Sequence, residues 1–543
     1  VAETANTLAF RGTGAVSQDV KPNLERLPAE LVDNILSHIG WADDDDEEVK
    51  WCNRVLTLSR LSSTSKRLRE ATEPALYADF TIPLSDNALM KLLWTLTSRP
   101  SLGRHIKSLQ LNLEESCSRT SPKSEQMALL GPALDVFKNS SWYWSLLQAF
   151  AKGCYNADLM LLLGLTTGLQ RLAYTYYHRR AVWHESCQRC PPAVSFLRDA
   201  FSISRLSVLA EGPFENLRTV SLQARQIFPE SHKESEISFE TLFLISNLPL
   251  LSELRCCGLL IRNQGMTGAH QKQLSNLQSI VLQRTSIDSA SLVTLVDYCK
   301  SLKRLEVDTA TFRIDNSSSR QTIDFGSPEM ALALERHTDT LESCALTNSQ
   351  NAARVWAGQE GVSQMSLLKS FSIMRDLTVD EDHLLGVCVN KHDGETQHSR
   401  FFADQMRMWD AIDLNSILPP RLSSLRVHSW SHFSLLKGIL TGMSKYGGSA
   451  LRSLEVIFPC GLSLNREYRR SVESYKPYKD GAQPWLLDMV NREVSSYRVK
   501  DCIRFRIVGP SLAKPDMASD DEALNSADSD DSGISADEED SDD

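Results

Sequence analysis

The chain has 543 residues, of which 42% are hydrophobic and 23% are charged, and its formal net charge is −11. The segment Pro515–Asp543 holds thirteen acids and no Lys or Arg, so the remaining residues are slightly basic. An acidic total argues against a nucleic-acid partner, which usually meets a basic surface. The longest apolar run, residues 159–165, falls well short of the roughly 20 residues of a membrane span, so no membrane association is expected.

The N-terminal residues show no basic region followed by an apolar stretch, so no signal peptide is predicted. The twelve cysteines are scattered and lack the spacing of a small disulfide-bonded domain. Together these features predict reduced thiols and a cytoplasmic or nuclear location, or both. Residues 1–22 are polar and without periodicity, and we expect them to be flexible.

A helix is predicted to begin at Leu27-Pro28, because proline fits the first helical turn, where its missing N–H costs nothing. Apolar residues then recur on one side of the helix until Gly40 ends it. This stripe consists of Leu27, Leu31, Ile35 and Ile39, with Leu36 beside them. The acids of residues 43–48 predict an exposed loop, and two more helices are expected over about 49–61 and 65–75.

Beyond Tyr77 the pattern L-x-x-L-x-L, with other apolar residues allowed, recurs about ten times. Each copy suits a short strand with alternate side chains buried, followed by a helix or loop that carries the chain back. No single copy could bury its own apolar face, whereas stacked neighbours could. The full copies are Ile106/Leu109/Leu111, Leu217/Val220/Leu222, Leu277/Ile280/Leu282, Leu302/Leu305/Val307, Leu341/Cys344/Leu346, Leu368/Phe371/Ile373, Leu422/Leu425/Val427 and Leu451/Leu454/Val456, and the partial ones are Leu169/Leu172 and Leu251/Leu254.

The copies are irregularly spaced, and a leucine-rich chain matches the pattern by chance in some places. We predict an α/β fold in which residues 83–509 form an irregular leucine-rich-repeat solenoid. Another α/β or α-rich body is the alternative. After Pro510 the sequence is rich in Ser, Asp and Glu and poor in bulky apolar residues, so we expect residues 510–543 to be a disordered acidic tail.

Two pieces of the N-terminal region resemble an F-box: LPAELVDNIL at 27–36 and LSRLSSTSKRLREATEPALY at 58–77. With the repeats that follow, the chain resembles fungal-type F-box proteins with degenerate leucine-rich repeats. The resemblance implies that residues 23–82 form a three-helix F-box that docks on the Skp adaptor and, through it, on cullin. It also implies that the repeat body binds the protein to be ubiquitylated. The acidic insertion after Trp41 departs from the family's pattern, because it lengthens the connection between the first two helices.

A three-helix segment of about fifty residues is too small to bury all its apolar side chains internally. We expect some of them to lie against the adaptor, and the candidates are Leu27, Pro28, Leu31, Ile35, Leu36, Val55 and Leu58. Association itself costs about 4–15 kcal/mol, so residues after Tyr77 should also touch the adaptor. The alternative is an N-terminal helical cap on the solenoid, which needs no partner.

Residues that flank the buried positions of each strand point to the opposite face, and repeat proteins bind partners on such a face. The candidate contacts for an unidentified protein substrate are Arg304, Glu306, Asp308, Arg426 and His428. The same rule places on this face Ser108, Gln110, Asn112, Thr219, Ser221, Gln223 and Ser424. A face that is merely solvated is the alternative for any one of them.

The acidic tail holds three candidate phosphorylation sites, Ser519, Ser532 and Ser535. Two of them precede acids in the way that acid-directed kinases require, and D-S-G-I-S at 531–535 is one residue shorter than a D-S-G-x-x-S phosphodegron. Phosphorylation would add about −1.5 to −2 charges at each site. A tail that only keeps the protein in solution is the alternative.

Catalytic signals are weak. Cys187 and Cys190, with His178 upstream, offer zinc-ligand chemistry, but no second C-x-x-C lies nearby. Phosphate-binding and nucleophile-elbow motifs are missing as well. We therefore predict no enzyme, no metal and no cofactor, and expect the substrate-recognition subunit of a Skp–cullin–F-box ubiquitin ligase. A leucine-rich-repeat scaffold without a ligase role is the main alternative, and a thiol or zinc enzyme is a third.

Overall fold

A computed structural model describes the better-defined parts of the chain. It covers residues 27–39, 47–82, 86–114, 143–151, 155–178, 214–226, 236–262, 274–309, 325–347, 366–380, 414–428, 450–457 and 504–508, with the single residues 131, 138, 323 and 384. The chain divides into a first unit, Val1–Leu254, and a second unit, Arg255–Asp543.

The helices in chain order begin with three that follow one another closely near the N-terminus. They are α1 (Ala29–His38), α2 (Glu47–Thr64), α3 (Lys66–Leu76), α4 (Asp86–Ser98), α5 (Tyr143–Ala151), α6 (Tyr155–Leu165), α7 (Phe239–Ser246), α8 (Ser289–Asp297), α9 (Pro328–Glu335) and α10 (Leu414–Ile417). The first three correspond to the three helices predicted from the sequence, with ends that differ by one to three residues.

The strands are short and are spread over nearly the whole chain. They are β1 (Asp79–Ile82), β2 (Ser108–Glu114), β3 (Arg171–His178), β4 (Thr219–Gln226), β5 (Glu236–Ser238), β6 (Glu253–Cys257), β7 (Leu260–Arg262), β8 (Ser279–Thr285), β9 (Arg304–Thr309), β10 (Ser343–Thr347), β11 (Asp376–Asp380), β12 (Ser424–His428), β13 (Ser453–Ile457) and β14 (Arg504–Val508). The mixed α/β class predicted from the sequence is confirmed.

Parallel pairing in chain order is the organising feature of both units. In the first unit β1, β2, β3 and β4 pair successively. In the second unit the succession runs from β8 to β14. Because parallel neighbours cannot be joined by a tight hairpin, each strand is followed by a longer return connection.

The pairing keeps equivalent residues of successive strands side by side. Leu305 of β9, for example, pairs with Cys344 of β10, and Cys344 pairs with Leu377 of β11. All three side chains are almost fully buried, so one face of each of these strands contributes to the apolar core.

A repeated backbone contact fixes where each strand starts. The carbonyl of Lys303 accepts hydrogen bonds from the N–H groups of both Glu342 and Ser343, and the carbonyl of Arg375 does the same for Ser423 and Ser424. Equivalent bonds recur in the first unit, where the Lys107 carbonyl serves β3. The ladder satisfies backbone groups that burial would otherwise leave unpaired.

Helices that return the chain in the second unit are capped by their own sequence. Asp288 accepts a hydrogen bond of 2.8 Å from the Ser291 N–H at the start of α8. Ser327 caps α9 in the same way, and Pro328 occupies the first turn. Such caps define the ends of helices as short as these.

Most full copies of the apolar pattern mark a strand, but one does not. Leu368/Phe371/Ile373 was predicted as a strand copy, and this is wrong. Residues Ser366–Ser370 form a 3-10 helix, and the strand begins only at Asp376. Leu368 and Phe371 are buried all the same, because a spacing of three residues also brings side chains together on a helical turn.

The two partial copies are completed by residues that the leucine pattern missed. Leu169 and Leu172 continue to Tyr174, and Leu251 and Leu254 continue to Cys256, with both completing side chains buried. Strands β1, β5, β7, β11 and β14 were not predicted. The expected flexible N-terminus, the loop acids at 43–46 and the acidic tail with Ser519, Ser532 and Ser535 lie outside the described residues.

Candidate functional site

Helix α1 carries two apolar stripes with opposite environments. Val32 and Leu36 are 5% and 4% exposed and belong to the core of the three N-terminal helices. Leu31 and Ile35, one position earlier in each turn, are 49% and 41% exposed. Residues four apart lie on one side of a helix, so Leu31 and Ile35 form a single exposed apolar edge.

Helix α2 repeats this division. Leu58 is 1% exposed and lies in the same core, whereas Leu56 is 54% exposed. Val55 is half-buried. Of the predicted adaptor contacts, Leu36 and Leu58 are thus core residues, and Leu56 is an exposed leucine that the prediction missed.

Helix α3 holds the other two helices in place. Leu68 and Thr72 are its buried residues, and Ser65 caps its N-terminus. The guanidinium of Arg67 donates a 2.8 Å hydrogen bond to the carbonyl of Leu27. This contact fixes the start of α1 and therefore the placement of Pro28, which is exposed, and Leu27, which is half-buried.

The helical segment, residues 27–76, is joined closely to the strands of the first unit. Arg99 pairs with Glu73 of α3 at 2.7 Å. The Ala78 carbonyl accepts hydrogen bonds from Lys107 and Ser108 at the start of β2. With only Tyr77 and Ala78 between α3 and β1, the exposed edge of α1 keeps a defined position relative to that sheet.

The second candidate surface, called the strand face here, consists of the residues that alternate with the core residues along β8 to β13. On β9, Arg304 pairs with Glu306 at 2.7 Å, and the Gln283 amide donates to Glu306 at 2.8 Å. On the far side, Arg426 of β12 pairs with Glu455 of β13 at 2.8 Å.

Small side chains lie between these two charge pairs. The register aligns Glu306, Ala345, Thr378 and Arg426 across β9 to β12. Neighbouring strands are about 4.8 Å apart, so the two arginine–glutamate pairs are separated by a lane of about two strands. On β11 two acids flank Thr378 on the same side of the strand, the exposed Asp376 and the buried Asp380.

The five predicted substrate contacts differ in accessibility. The side chain of Arg426 is 55% exposed and that of His428 only 15%. Arg304 is exposed and Glu306 and Asp308 are half-buried, and the Thr347 hydroxyl donates to Asp308 at 3.3 Å. His428 is therefore the least suited of the five to contact a partner directly.

His428 is neutral at physiological pH. The pKa of its imidazole is lowered to about 4, mainly by burial and also by the nearby Arg426 guanidinium, although Glu455 acts in the opposite direction. Its Nδ1 lies 4.0 Å from a carboxylate oxygen of Asp380, which is too long for a hydrogen bond. At neutral pH the two side chains therefore do not form an ion pair.

A second histidine, His337, has a structural role. It is fully buried, its Nε2 lies 3.1 Å from the Val296 carbonyl, and its Nδ1 accepts a hydrogen bond from the Leu302 N–H. Burial lowers the pKa of this imidazole. The ring thus joins the end of α8 to the start of β9 in its neutral form.

Three described cysteines, Cys256, Cys299 and Cys344, are buried thiols. Burial raises the pKa of Cys299 and Cys344 to about 12, and that of Cys256 still higher. A thiol of this kind stays protonated and unreactive. Cys187 and Cys190 lie outside the described residues. Among the residues that the structure does describe, His, Cys, Asp and Glu nowhere form a group of three suited to a metal ion.

Three further residues of the strand face were missed. Glu455 follows the same alternation rule as Arg426 and was open to prediction. Gln283 and Arg284 lie at an irregularity of β8, where the register with β9 shifts between Leu282 and Thr285. Alternation fails at such a point, and the sequence carries no signal for it.

No family model and no curated protein matches the chain. Within the described ranges, every helix is too short or too polar to cross a membrane.

Proposed function

We propose that this chain is a non-catalytic substrate-recognition subunit of a Skp–cullin–F-box ubiquitin ligase. In this proposal the helical segment is an F-box that docks on the Skp adaptor, and the strands belong to a degenerate leucine-rich-repeat body that binds the target protein. Ubiquitin transfer takes place on a separate charged enzyme, and this chain contributes proximity and selection.

The observation that carries the proposal is the exposed edge formed by Leu31 and Ile35. A helix that only packs on its own core has one apolar stripe, whereas α1 has a second. Both residues belong to the stretch LPAELVDNIL that resembles the F-box. An apolar edge of this kind is typical of a surface that a partner covers.

The energetics require a docking surface larger than this edge. Covering the exposed parts of Leu31, Ile35 and Leu56 contributes roughly 2–5 kcal/mol, since full burial of such side chains is worth about 1.5–3 kcal/mol each. Association costs about 4–15 kcal/mol. The adaptor must therefore contact neighbouring groups as well, and Pro28, Leu27 and Val55 are the accessible candidates.

The target-binding role is assigned to the strand face. Its exposed groups are arginine–glutamate pairs around a lane of small side chains, which leaves the chain soluble without a target and offers polar contacts to one. Surfaces of stacked parallel strands are common protein-binding sites.

Co-expression of the chain with a fungal Skp adaptor, followed by size-exclusion chromatography, tests the proposal. A stable one-to-one complex is expected. Separate elution of two folded proteins would contradict the ligase role and would favour the alternative, a leucine-rich-repeat scaffold whose N-terminal helices are only a cap.

A further inference from the structure

The irregularity in β8 places an arginine in an unusual backbone conformation. Two residues, Gln283 and Arg284, stand opposite the single residue Asp308 of β9, as in a β-bulge. Arg284 has a φ of 48°, and it is the one described residue other than glycine with a positive φ. Left-handed backbone is unfavourable for a residue with a side chain, so this position carries strain.

The strained geometry is held by the contacts of its neighbour. The Gln283 carbonyl accepts hydrogen bonds from the Gly258 N–H at 2.9 Å and from the Thr285 hydroxyl at 3.0 Å. The Gln283 side chain donates to Glu306. Strained residues persist where the surroundings fix them in this way, and they cluster at functional sites.

The Arg284 side chain makes no hydrogen bond or ion pair with a described residue that would offset the strain. Its side chain is exposed, and within the described part of the chain no carboxylate pairs with it. The two other arginines of the strand face, Arg304 and Arg426, are each paired with a glutamate. Arg284 is thus the face arginine whose five N–H donors remain available to a partner.

The charges around the bulge favour an anionic group of limited size. On β8 and β9 the strand face carries the bases Arg284 and Arg304 and the acids Glu306 and Asp308. Because Arg304 pairs with Glu306, Arg284 is the base that remains for a single anionic side chain. The two acids would repel the continuous phosphates of a nucleic acid, so a protein segment is the better fit.

We propose that Arg284 is a specificity-determining contact that binds an anionic side chain, a carboxylate or a phosphate, of the target protein. This inference rests on the proposed target-binding role of the strand face, and it adds the chemical class of the residue recognised. The arginine fork matches both groups through paired hydrogen bonds.

A peptide selection tests this on the full-length chain. Twelve-residue peptides are selected from a random library, and the best binder is resynthesised with its acid changed to the matching amide or to phosphoserine. Enrichment of Asp or Glu is expected, with a loss of at least about tenfold on the change to amide. Phosphoserine binding more tightly than the acid would identify phosphate as the source, and weaker binding would identify carboxylate.

Variants at the bulge decide whether Arg284 is responsible. Arg284→Gln should bind the acidic peptide at least about tenfold more weakly and no longer distinguish it from its amide. Arg452→Gln removes an exposed arginine that lies just before β13 and pairs with no described carboxylate; it should change affinity less than about twofold. Equal discrimination by Arg284→Gln and the unaltered chain would overturn the proposal, as would selected peptides without acids or a single-stranded oligonucleotide that displaces them.

A second variant shows whether Arg284 is a strained residue or one that stabilises the fold. Glycine tolerates a positive φ, so Arg284→Gly should unfold at the same or a higher temperature while losing the acidic peptide. A lower unfolding temperature would mean that the arginine stabilises the fold, and would contradict the proposal. Adaptor binding by Arg284→Gln should be unchanged, so failure of this inference is distinguishable from failure of the ligase role.

Discussion

The helical segment and the strand face both expose side chains that their cores do not need, but the chemistry of these side chains is opposite. On α1 and α2 they are Leu31, Ile35 and Leu56, apolar side chains whose exposure to water is unfavourable. On the strand face they are charged side chains: Arg304 and Arg426 each pair with a glutamate, whereas Arg284 pairs with no described carboxylate. The apolar edge of the helical segment is suited to one partner that always covers it. The strand face is suited to a partner that is selected by polar contacts.

This difference also separates energy from specificity. Burial of apolar side chains supplies most of the free energy of association but discriminates weakly. Exposed ion pairs contribute little stability, typically 0–1 kcal/mol, yet a mismatched or unpaired charge is strongly disfavoured. The apolar edge would then supply most of the binding free energy and the strand face most of the specificity. This division suits a protein that joins one fixed partner to a selected target.

The largest effect is expected inside the helical segment, where two leucines two positions apart have different roles. Leu58→Asp should destabilise the helices by roughly 3–5 kcal/mol, because it leaves a charge in the core. Leu56→Asp should change their stability by less than about 0.5 kcal/mol. Hydrogen exchange over residues 27–76 in the full chain measures both, and equal protection in the two variants would refute the division of α2 into core and edge.

Lower pH is expected to have a smaller effect, on the free energy of unfolding of the second unit. His428 and His337 have lowered pKa values in the folded chain, so below pH 6.5 the unfolded state takes up protons that the folded state does not. Stability should therefore fall as the pH drops, by roughly 2–3 kcal/mol for His428 by pH 4.

The matched variant for this prediction is His428→Phe, which removes the titrating group. Urea unfolding between pH 7 and pH 4.5 should show a shallower decline for the variant than for the unaltered chain. Parallel declines in the two proteins would mean that His428 is accessible and titrates normally.

The smallest effect is expected at the charge pair of Arg426 and Glu455. A double-mutant cycle with Arg426→Ala and Glu455→Ala should give a coupling free energy of about 1 kcal/mol or less, because Arg426 is mostly exposed and salt screens the pair. A coupling above about 2 kcal/mol would mean that the pair stabilises the fold rather than the binding surface.

Sequence periodicity located the elements better than it assigned their faces. The three N-terminal helices and most strands follow from apolar spacing alone. On α1, however, the predicted stripe ran through Leu31 and Ile35, whereas the core stripe runs through Val32 and Leu36. Because apolar residues occupy adjacent positions there, periodicity cannot tell which side meets the core.

The strands illustrate the complementary limit. Alternation assigned Arg304 and Arg426 to the outer side, and it would have assigned Glu455 as well. The apolar pattern placed a strand at Leu368/Phe371/Ile373 instead of at β11, because Leu368 and Phe371 suit a helical turn as well as a strand. The positive φ of Arg284 depends on a register shift between two strands, which only the three-dimensional pairing reveals.

We propose that the Leu31–Ile35 edge binds the Skp adaptor. Titration of the full chain with purified adaptor tests it most directly, with Leu31→Asp plus Ile35→Asp compared with Leu332→Asp, a change at an exposed leucine of the second unit. We expect an affinity loss of at least about 100-fold for the double variant, with its fold intact, and none for Leu332→Asp. Unchanged affinity in the double variant would contradict it.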